Sequence, residues 1–489
     1  MSKEIIVIGS GIAGMSCAAY LGKAGHRVTV IEKNFTYGGR LQTVSQQGYT
    51  FDSGPSWYWM PDIFDSFFAD FDKKTNDYYD LIRIDPGYRV YFGQQDYFDL
   101  FENLDVLKRN LSKLEEGAGE ALQRYLDDAE EKYKVAVKKF MYKPSLSPLE
   151  YIHFDLIKRL GKLNLFRPIS KHIRQHFSNN KIIQMLEFPS LLLGAKPSDT
   201  PALYSIMNYA DIILGTWYPS GGIRSVANAI YEVAKSQGVN FLFNQPVNKI
   251  SMNGNKATGV VTNKSSYHAD IIVANADYHH VEQTMLLKQN RNYSKSYWEK
   301  RIMSPSALLF YVALNKKLDI SHHTLFFDSD FKKHAKEIYD NPKWPEQPLF
   351  YTSCVSKTDP KVAPKDGEAL FILIPVAPNL DDNDQIRKKY FQQVISRIEL
   401  LINQNINDHI VFSKSYAHRD FISDYNSFKG NAYGLANTLF QTAFLKPKIK
   451  NKKINNLYYT GQLTVPGPGM PPSIVSGKIV ADQIDIEIK

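Results

Sequence analysis

Near the N-terminus, Gly9-Ser10-Gly11-Ile12-Ala13-Gly14 sets three glycines at the spacing G-x-G-x-x-G. Residues 4–8 before them read as a buried parallel strand, and residues 15–24 after them read as a helix rich in small side chains. Residues 27–32 form a second strand that ends in Glu32, which completes a βαβ unit. Each part has a chemical reason. Gly9 allows the tight turn, Gly11 lets the backbone approach a pyrophosphate, and Gly14 lets helix and strand pack closely. The phosphate charge rests on the helix N-terminus, and Glu32 faces the ribose hydroxyls, where its charge disfavours a 2′-phosphate. This is a dinucleotide site.

Two further stretches say which dinucleotide. Gly38-Gly39-Arg40 follows Glu32-Lys33 and offers a second phosphate grip, with a guanidinium that pairs bidentately. Near the C-terminus stand Tyr459-Thr460-Gly461-Gln462 and then Pro466-Gly467-Pro468-Gly469-Met470-Pro471-Pro472-Ser473, running into a helix expected over 473–484. A helix N-terminus there would stabilise the anionic N1–C2=O edge of a reduced flavin. The cofactor expected is FAD.

The nucleotide-binding pattern returns twice further along the chain. Residues 223–236 read as a helix, and 240–243, 247–252, 257–262 and 269–274 read as strands. The last return is a strand over 457–460 followed by the C-terminal helix. The fold class expected is α/β, a Rossmann-type FAD-binding domain with a second, discontinuous mixed α+β domain built from the inserts. Residues 1–90, 216–294 and 416–489 make up the first, and 91–215 and 295–415 the second.

The 489 residues carry a formal charge of +9, with 43% hydrophobic and 22% charged residues, which excludes wholesale disorder. The basic excess points to an anionic partner, nucleic acid or a membrane surface, or serves solubility alone. No basic-aromatic module supports nucleic acid. Cys17 and Cys354 cannot build a disulfide framework and are expected reduced and buried. No apolar run is long enough to span a bilayer and no secretory signal opens the chain, so a cytoplasmic protein is expected. No metal-ligand spacing stands out; His279-His280 and His322-His323 read as solvated loop histidines.

Taken together these motifs resemble the bacterial and fungal phytoene-desaturase family of FAD-dependent carotenoid desaturases, within the wider amine-oxidase-like flavoproteins. The narrower likeness rests on Phe51-Asp52-Ser53-Gly54-Pro55-Ser56-Trp57, Tyr218-Pro219-Ser220-Gly221-Gly222 and residues 461–477. Asn208-Tyr209-Ala210-Asp211 and Gly430-Asn431-Ala432-Tyr433-Gly434 resemble its bacteroidete branch. The resemblance implies FAD held by Gly9, Gly11, Ile12, Ala13, Gly14, Glu32, Lys33, Gly39, Arg40, Gly54, Pro55, Ser56, Val247, Gly461, Gln462, Gly469, Met470 and Ser473. Gln462 departs from the wider group, where an acid often follows this glycine.

The resemblance also implies a hydrophobic tunnel for a C40 polyene, for phytoene-type or 1′-hydroxycarotenoid 3,4-desaturation. Hydride leaves for flavin N5 and a proton leaves elsewhere; the conjugated polyene delocalises the cation, so the protein mainly positions the substrate and excludes water. Trp57, Tyr58, Trp59, Tyr209, Trp217 and Tyr218 are expected to line the channel. Asp211, Glu187 and His418 are candidates if a base is used, and the catalytic residue stays unassigned. A single dinucleotide fingerprint points to oxygen or a membrane quinone as electron acceptor. Residues 151–177 mix Lys158, Arg159, Lys162, Arg167, Lys171 and Arg174 with Ile, Leu and Phe, as a peripheral contact with the inner face of the cell membrane would require. The alternatives are an amine or porphyrinogen oxidase and a non-catalytic prenyl-lipid carrier on the same scaffold.

Overall fold

The computed structural model describes residues 1–151, 167–191 and 194–488. Five parallel strands form one sheet, in the order Leu457–Tyr459, Ile271–Ala274, Glu4–Ile8, Arg27–Ile31, Asn240–Leu242. The central strand is apolar because both its faces are covered: Ile5 and Val7 enter one core, Ile6 and Ile8 another.

The helix Ile12–Lys23 follows the first strand and lies against the C-terminal helix Met470–Ile488. Small residues make the crossing tight. A Cβ on Gly477 would stand 2.6 Å from the Ala13 carbonyl oxygen and 2.7 Å from the Cys17 nitrogen. The Ser16 hydroxyl donates to the Ile474 carbonyl at 3.0 Å. The C-terminal helix starts at Met470, earlier than expected, because Pro471 and Pro472 fit a first turn whose N–H groups have no intrahelical partner.

Strands Val247–Asn253, Lys256–Thr262 and Ser266–His268 form an antiparallel meander beside this unit. The second large sheet has seven strands, in the order Ile410–Tyr416, Ser306–Leu314, Glu368–Val376, Phe350–Cys354, His323–Phe326, Tyr88–Gly93, Asp96–Leu100. Its strands pair antiparallel except His323–Phe326 with Tyr88–Gly93. The expected boundary at 90 therefore cuts through a strand, and the chain enters this sheet from Tyr88.

Two expectations are corrected here. His322 and His323 are buried, not solvated, at the start of a core strand: the polar Ser321-His322-His323 leads straight into Thr324-Leu325-Phe326, and pairing with Ser353 draws His323 into the sheet. Within 151–177, residues 152–166 lie outside the described residues. In the described part, the helix Ile169–Ile173 buries Ile169 and Ile173 in the core, so these two do not face a bilayer, while Arg167, Lys171 and Arg174 stay exposed. No helix among the described residues is long and apolar enough to cross a membrane. Cys17 and Cys354 are free and buried.

The helix crossing generates a test. Gly477→Val forces the two backbones apart, and overpacking of this kind costs about 1–3 kcal/mol; its melting temperature is expected several degrees below that of the wild type by calorimetry.

Candidate functional site

The turn after the first strand is built by close backbone approach. Gly9 sits at φ +97°, where a side chain is strained, and its amide donates to the Ile31 carbonyl at 2.8 Å. Gly38 donates to the Ser10 carbonyl at 2.9 Å, which lays the Gly38-Gly39 corner on Gly11. A Cβ on Gly39 would stand 3.1 Å from the Gly11 Cα, and one on Gly11 would stand 2.9 Å from Asn275 Oδ1. The backbone at the start of the helix Ile12–Lys23 is thereby left bare toward the cavity in front of it.

That cavity has a volume of about 700 Å³. Of the residues expected to hold FAD, Gly9, Gly11, Ile12, Ala13, Glu32, Lys33, Gly39, Arg40, Gly54, Pro55, Ser56, Val247, Gly461, Gln462, Gly469, Met470 and Ser473 all line it. Gly14 does not. It lies beneath the turn, where a Cβ would come within 2.4 Å of the Gly9 oxygen, so its part is packing.

Glu32 is tied into the turn as well as facing the cavity. Its Oε2 accepts from the Ser10 amide and hydroxyl, both at 2.8 Å, and its Oε1 accepts from the Asn34 amide at 2.9 Å. A carboxylate offers about four lone-pair sites, which leaves room for a ribose hydroxyl. Arg40 lies half-buried over the Tyr425 ring and donates through Nη2 to Ser427 Oγ at 2.7 Å, while its buried Nε has no partner among the described residues. A half-buried guanidinium with a buried donor to spare, beside bare glycine backbone, is what a pyrophosphate satisfies. Burial pushes the Asp277 carboxyl, which faces the same cavity, up to about 6. On these observations the donor set fits FAD: Glu32 for the ribose, the turn and Arg40 for the pyrophosphate, and the N-terminus of Met470–Ile488 for the flavin's pyrimidine edge.

The other half of the cavity is aromatic. Trp57 and Trp59 line it, and four expected neighbours do not. Tyr58 is stacked on Phe64 with its hydroxyl 3.1 Å from that of Tyr79. Tyr209 packs on Tyr133 and donates to Glu130 at 3.3 Å. Trp217 lies under Arg83 and donates to the Leu214 carbonyl, and the Tyr218 hydroxyl donates to Asp359 at 3.1 Å. Each is held in place by a partner outside the cavity.

The wall that sequence reasoning missed comes from the inserts: Phe188, Phe327, Phe331, His334, Leu349 and Tyr351. The helix Phe331–Tyr339 turns Phe331, His334, Ala335, Ile338 and Tyr339 toward the cavity. That i, i+3, i+4, i+7 spacing was the available signal. Of the two other histidines expected in solvent, His279 is half-buried on the Phe428 ring and held down to about 4 by burial, and His280 lines the cavity. Among the described residues no three His, Cys, Asp or Glu side chains gather as a metal site would need.

Residues 12–485 match the family described as flavin containing amine oxidoreductase. Among curated proteins, a carotenoid 3,4-desaturase of Haloarcula japonica is 37% identical, over 99% of this chain and 98% of its own. A 1-hydroxycarotenoid 3,4-desaturase of Flavobacterium sp. strain P99-3 is 30% identical over 99% of both. Among solved structures, cyclohexylamine oxidase from Brevibacterium oxydans superposes with a TM-score of 0.60 at 15% identity, covering 100% of both chains, which shows a shared fold.

None of the three candidate bases lines the cavity. Glu187 is paired with Arg174, and His418 Nε2 lies 2.8 Å from the Ala377 carbonyl. Asp211 accepts from Tyr88 and Thr216 hydroxyls, both at 3.0 Å, and burial pushes its carboxyl up to about 7. The folded chain holds this proton to higher pH than the unfolded chain does. The stability it contributes is complete below the ordinary aspartate pKa and is lost as pH rises through about 7. Asp211→Asn removes that charge, so the variant is expected to gain in melting temperature relative to the wild type between pH 5 and pH 8.5, read by thermal scans across that range.

Proposed function

The chain belongs to the flavin containing amine oxidoreductases, and from that premise we propose that it is a carotenoid desaturase that uses FAD to introduce a carbon–carbon double bond. One observation carries the reading: a single cavity runs from the bare glycine turn and Arg40 into a chamber walled by Trp57, Trp59, Phe188, Phe327, Phe331 and Leu349. A long apolar polyene needs such a chamber, and a polar amine does not. Cyclohexylamine oxidase shares the fold at 15% identity, whereas the two carotenoid desaturases named above match end to end at 37% and 30%.

The FAD-binding role is read onto the cavity-lining residues expected to hold FAD, with residues 1–87, 216–294 and 417–489 as the cofactor domain and the inserts, from Tyr88 and through Tyr416, as the substrate domain. When bound, FAD supplies the hydride acceptor. The chain's own work is to hold a flexible polyene straight, keep its reacting bond at the flavin end of the chamber and shut out water that would trap the cation. Two relatives that act at the 3,4 position favour that bond here, with oxygen or a membrane quinone taking the electrons onward.

A water-insoluble substrate calls for contact with a bilayer. Phe440 is 79% exposed and Ile302 51% exposed, and both flank a surface groove with Arg167, Lys300 and Arg301. Exposed apolar side chains beside three cations and a single acid, Asp199, suit an anionic bilayer surface, and this groove supports peripheral attachment alongside the basic stretch 151–177.

The deciding experiment is anaerobic flavin bleaching with phytoene, lycopene or a 1′-hydroxylated carotenoid supplied in liposomes. Bleaching by lycopene or the hydroxylated compound, with its absorption moving to longer wavelength, is expected. Bleaching by phytoene alone would overturn the 3,4 position, and no bleaching by any of the three would overturn the desaturase reading. For the membrane contact, Lys300→Glu with Arg301→Glu is expected to reduce co-sedimentation with anionic liposomes; unchanged sedimentation would remove this groove.

A further inference from the structure

Desaturation removes a proton as well as a hydride, and the residues first considered for it lie outside the cavity. In the aromatic half of the wall, one hydroxyl is backed by a base. Tyr351, on the strand Phe350–Cys354, lines the chamber beside Ser56, with their hydroxyl oxygens 2.9 Å apart. Behind it, His323 Nδ1 lies 2.7 Å from the Tyr351 hydroxyl. His323 is wholly buried, and its Nε2 has no partner among the described residues. Trp57 stacks on the imidazole at 4.0 Å with the planes 16° apart. The other histidine of this wall is occupied: His334 Nε2 lies 3.0 Å from the Pro375 carbonyl, and its Nδ1 accepts from the Leu349 amide at 3.0 Å.

We propose that Tyr351 is the catalytic residue that accepts the proton leaving the polyene, and that His323 positions it and takes up its hydroxyl proton. This rests on the desaturase reading above. The hydride, with its electron pair, leaves one carbon for the flavin. At the neighbouring carbon the C–H bond breaks, its electrons become the new π bond, and the proton bonds to Tyr351 Oη as that oxygen's own proton passes to His323 Nδ1. Carbon loses two hydrogens and two electrons, and the imidazole becomes imidazolium.

The energetics suit a weak base. A polyene cation is a far stronger acid than imidazolium, so a neutral imidazole is basic enough even when burial and His322 depress its proton affinity. The face of Trp57 stabilises the transient cation, and the Tyr351 hydroxyl, which donates to Ser56 Oγ in the resting site, turns its proton to His323 Nδ1 as it accepts the new one. The proton returns to water by the same route after the product leaves.

The test is stopped-flow flavin reduction in the FAD-loaded enzyme, with lycopene in liposomes carrying deuterium in turn at each carbon of the new double bond. Wild type is expected to show an isotope effect from the hydride-losing carbon alone. In Tyr351→Phe and in His323→Gln, FAD content and flavin spectrum are expected to be unchanged and reduction slowed about 10²-fold. Deuterium at the proton-losing carbon then slows the variants further, because proton transfer has become limiting. If His323→Gln does not fold, Tyr351→Phe alone decides. Reduction of Tyr351→Phe at the wild-type rate, or slowing with the isotope effect still confined to the hydride-losing carbon, would overturn the proposal. Wild-type enzyme that lycopene does not reduce, while phytoene does, moves the isotope series to phytoene; wild type reduced by no carotenoid sinks both readings.

Discussion

Three stretches of chain, from the two ends and the middle, meet at one turn where there is space for hydrogen and little else. Asn275 is the pin. Its amide donates to the Ile8 carbonyl at 2.8 Å, its Nδ2 donates to the Thr460 carbonyl at 3.3 Å, and its Oδ1 fills the space that a Cβ on Gly11 or Gly14 would need. Thr460 in turn donates to the Ala274 carbonyl at 3.0 Å. The discontinuous half of the fold is held together here, because the parallel sheet cannot close unless Glu4–Ile8, Ile271–Ala274 and Leu457–Tyr459 share this register.

From that meeting point the cavity inherits its two chemistries. At one end the turn and two helix N-termini present unspent amide donors, with Arg40 adding a full charge, so an anion is welcome there. At the other end the seven-stranded sheet and the helix Phe331–Tyr339 supply aromatic faces that exclude water. The residues 53–57 join the two ends in sequence, which puts Ser56 and Trp57 where cofactor and substrate would meet.

Burial does much of the electrostatic work. It holds His322 down to about 3 and Asp211 up to about 7, and it leaves both neutral through the ordinary acid range. Neither lines the cavity, and in such buried places a charge without a partner would cost desolvation. The Tyr351–His323 pair supplies a proton acceptor without a standing charge.

Much of the cofactor half was legible in the sequence. Close backbone approach demands glycine, so Gly9, Gly11, Gly39, Gly461 and Gly469 announce themselves by type and spacing, and Glu32 and Arg40 follow at short range. The apolar half was not. Tyr58 and Trp59 are neighbours of equal character, yet Trp59 lines the cavity while Tyr58, at an isolated bridge to Trp217, stacks on Phe64 in the core. His323, Tyr351 and Ser56 are separated by hundreds or tens of residues, and nothing in local pattern distinguishes a histidine in a polar loop from one that opens a buried strand. The sequence by itself determined the dinucleotide turn and the family of chemistry, because those rest on local steric rules. Which aromatics line the chamber, and which base stands behind them, was decided by the pairing of strands distant along the chain, a tertiary fact with no short-range signature.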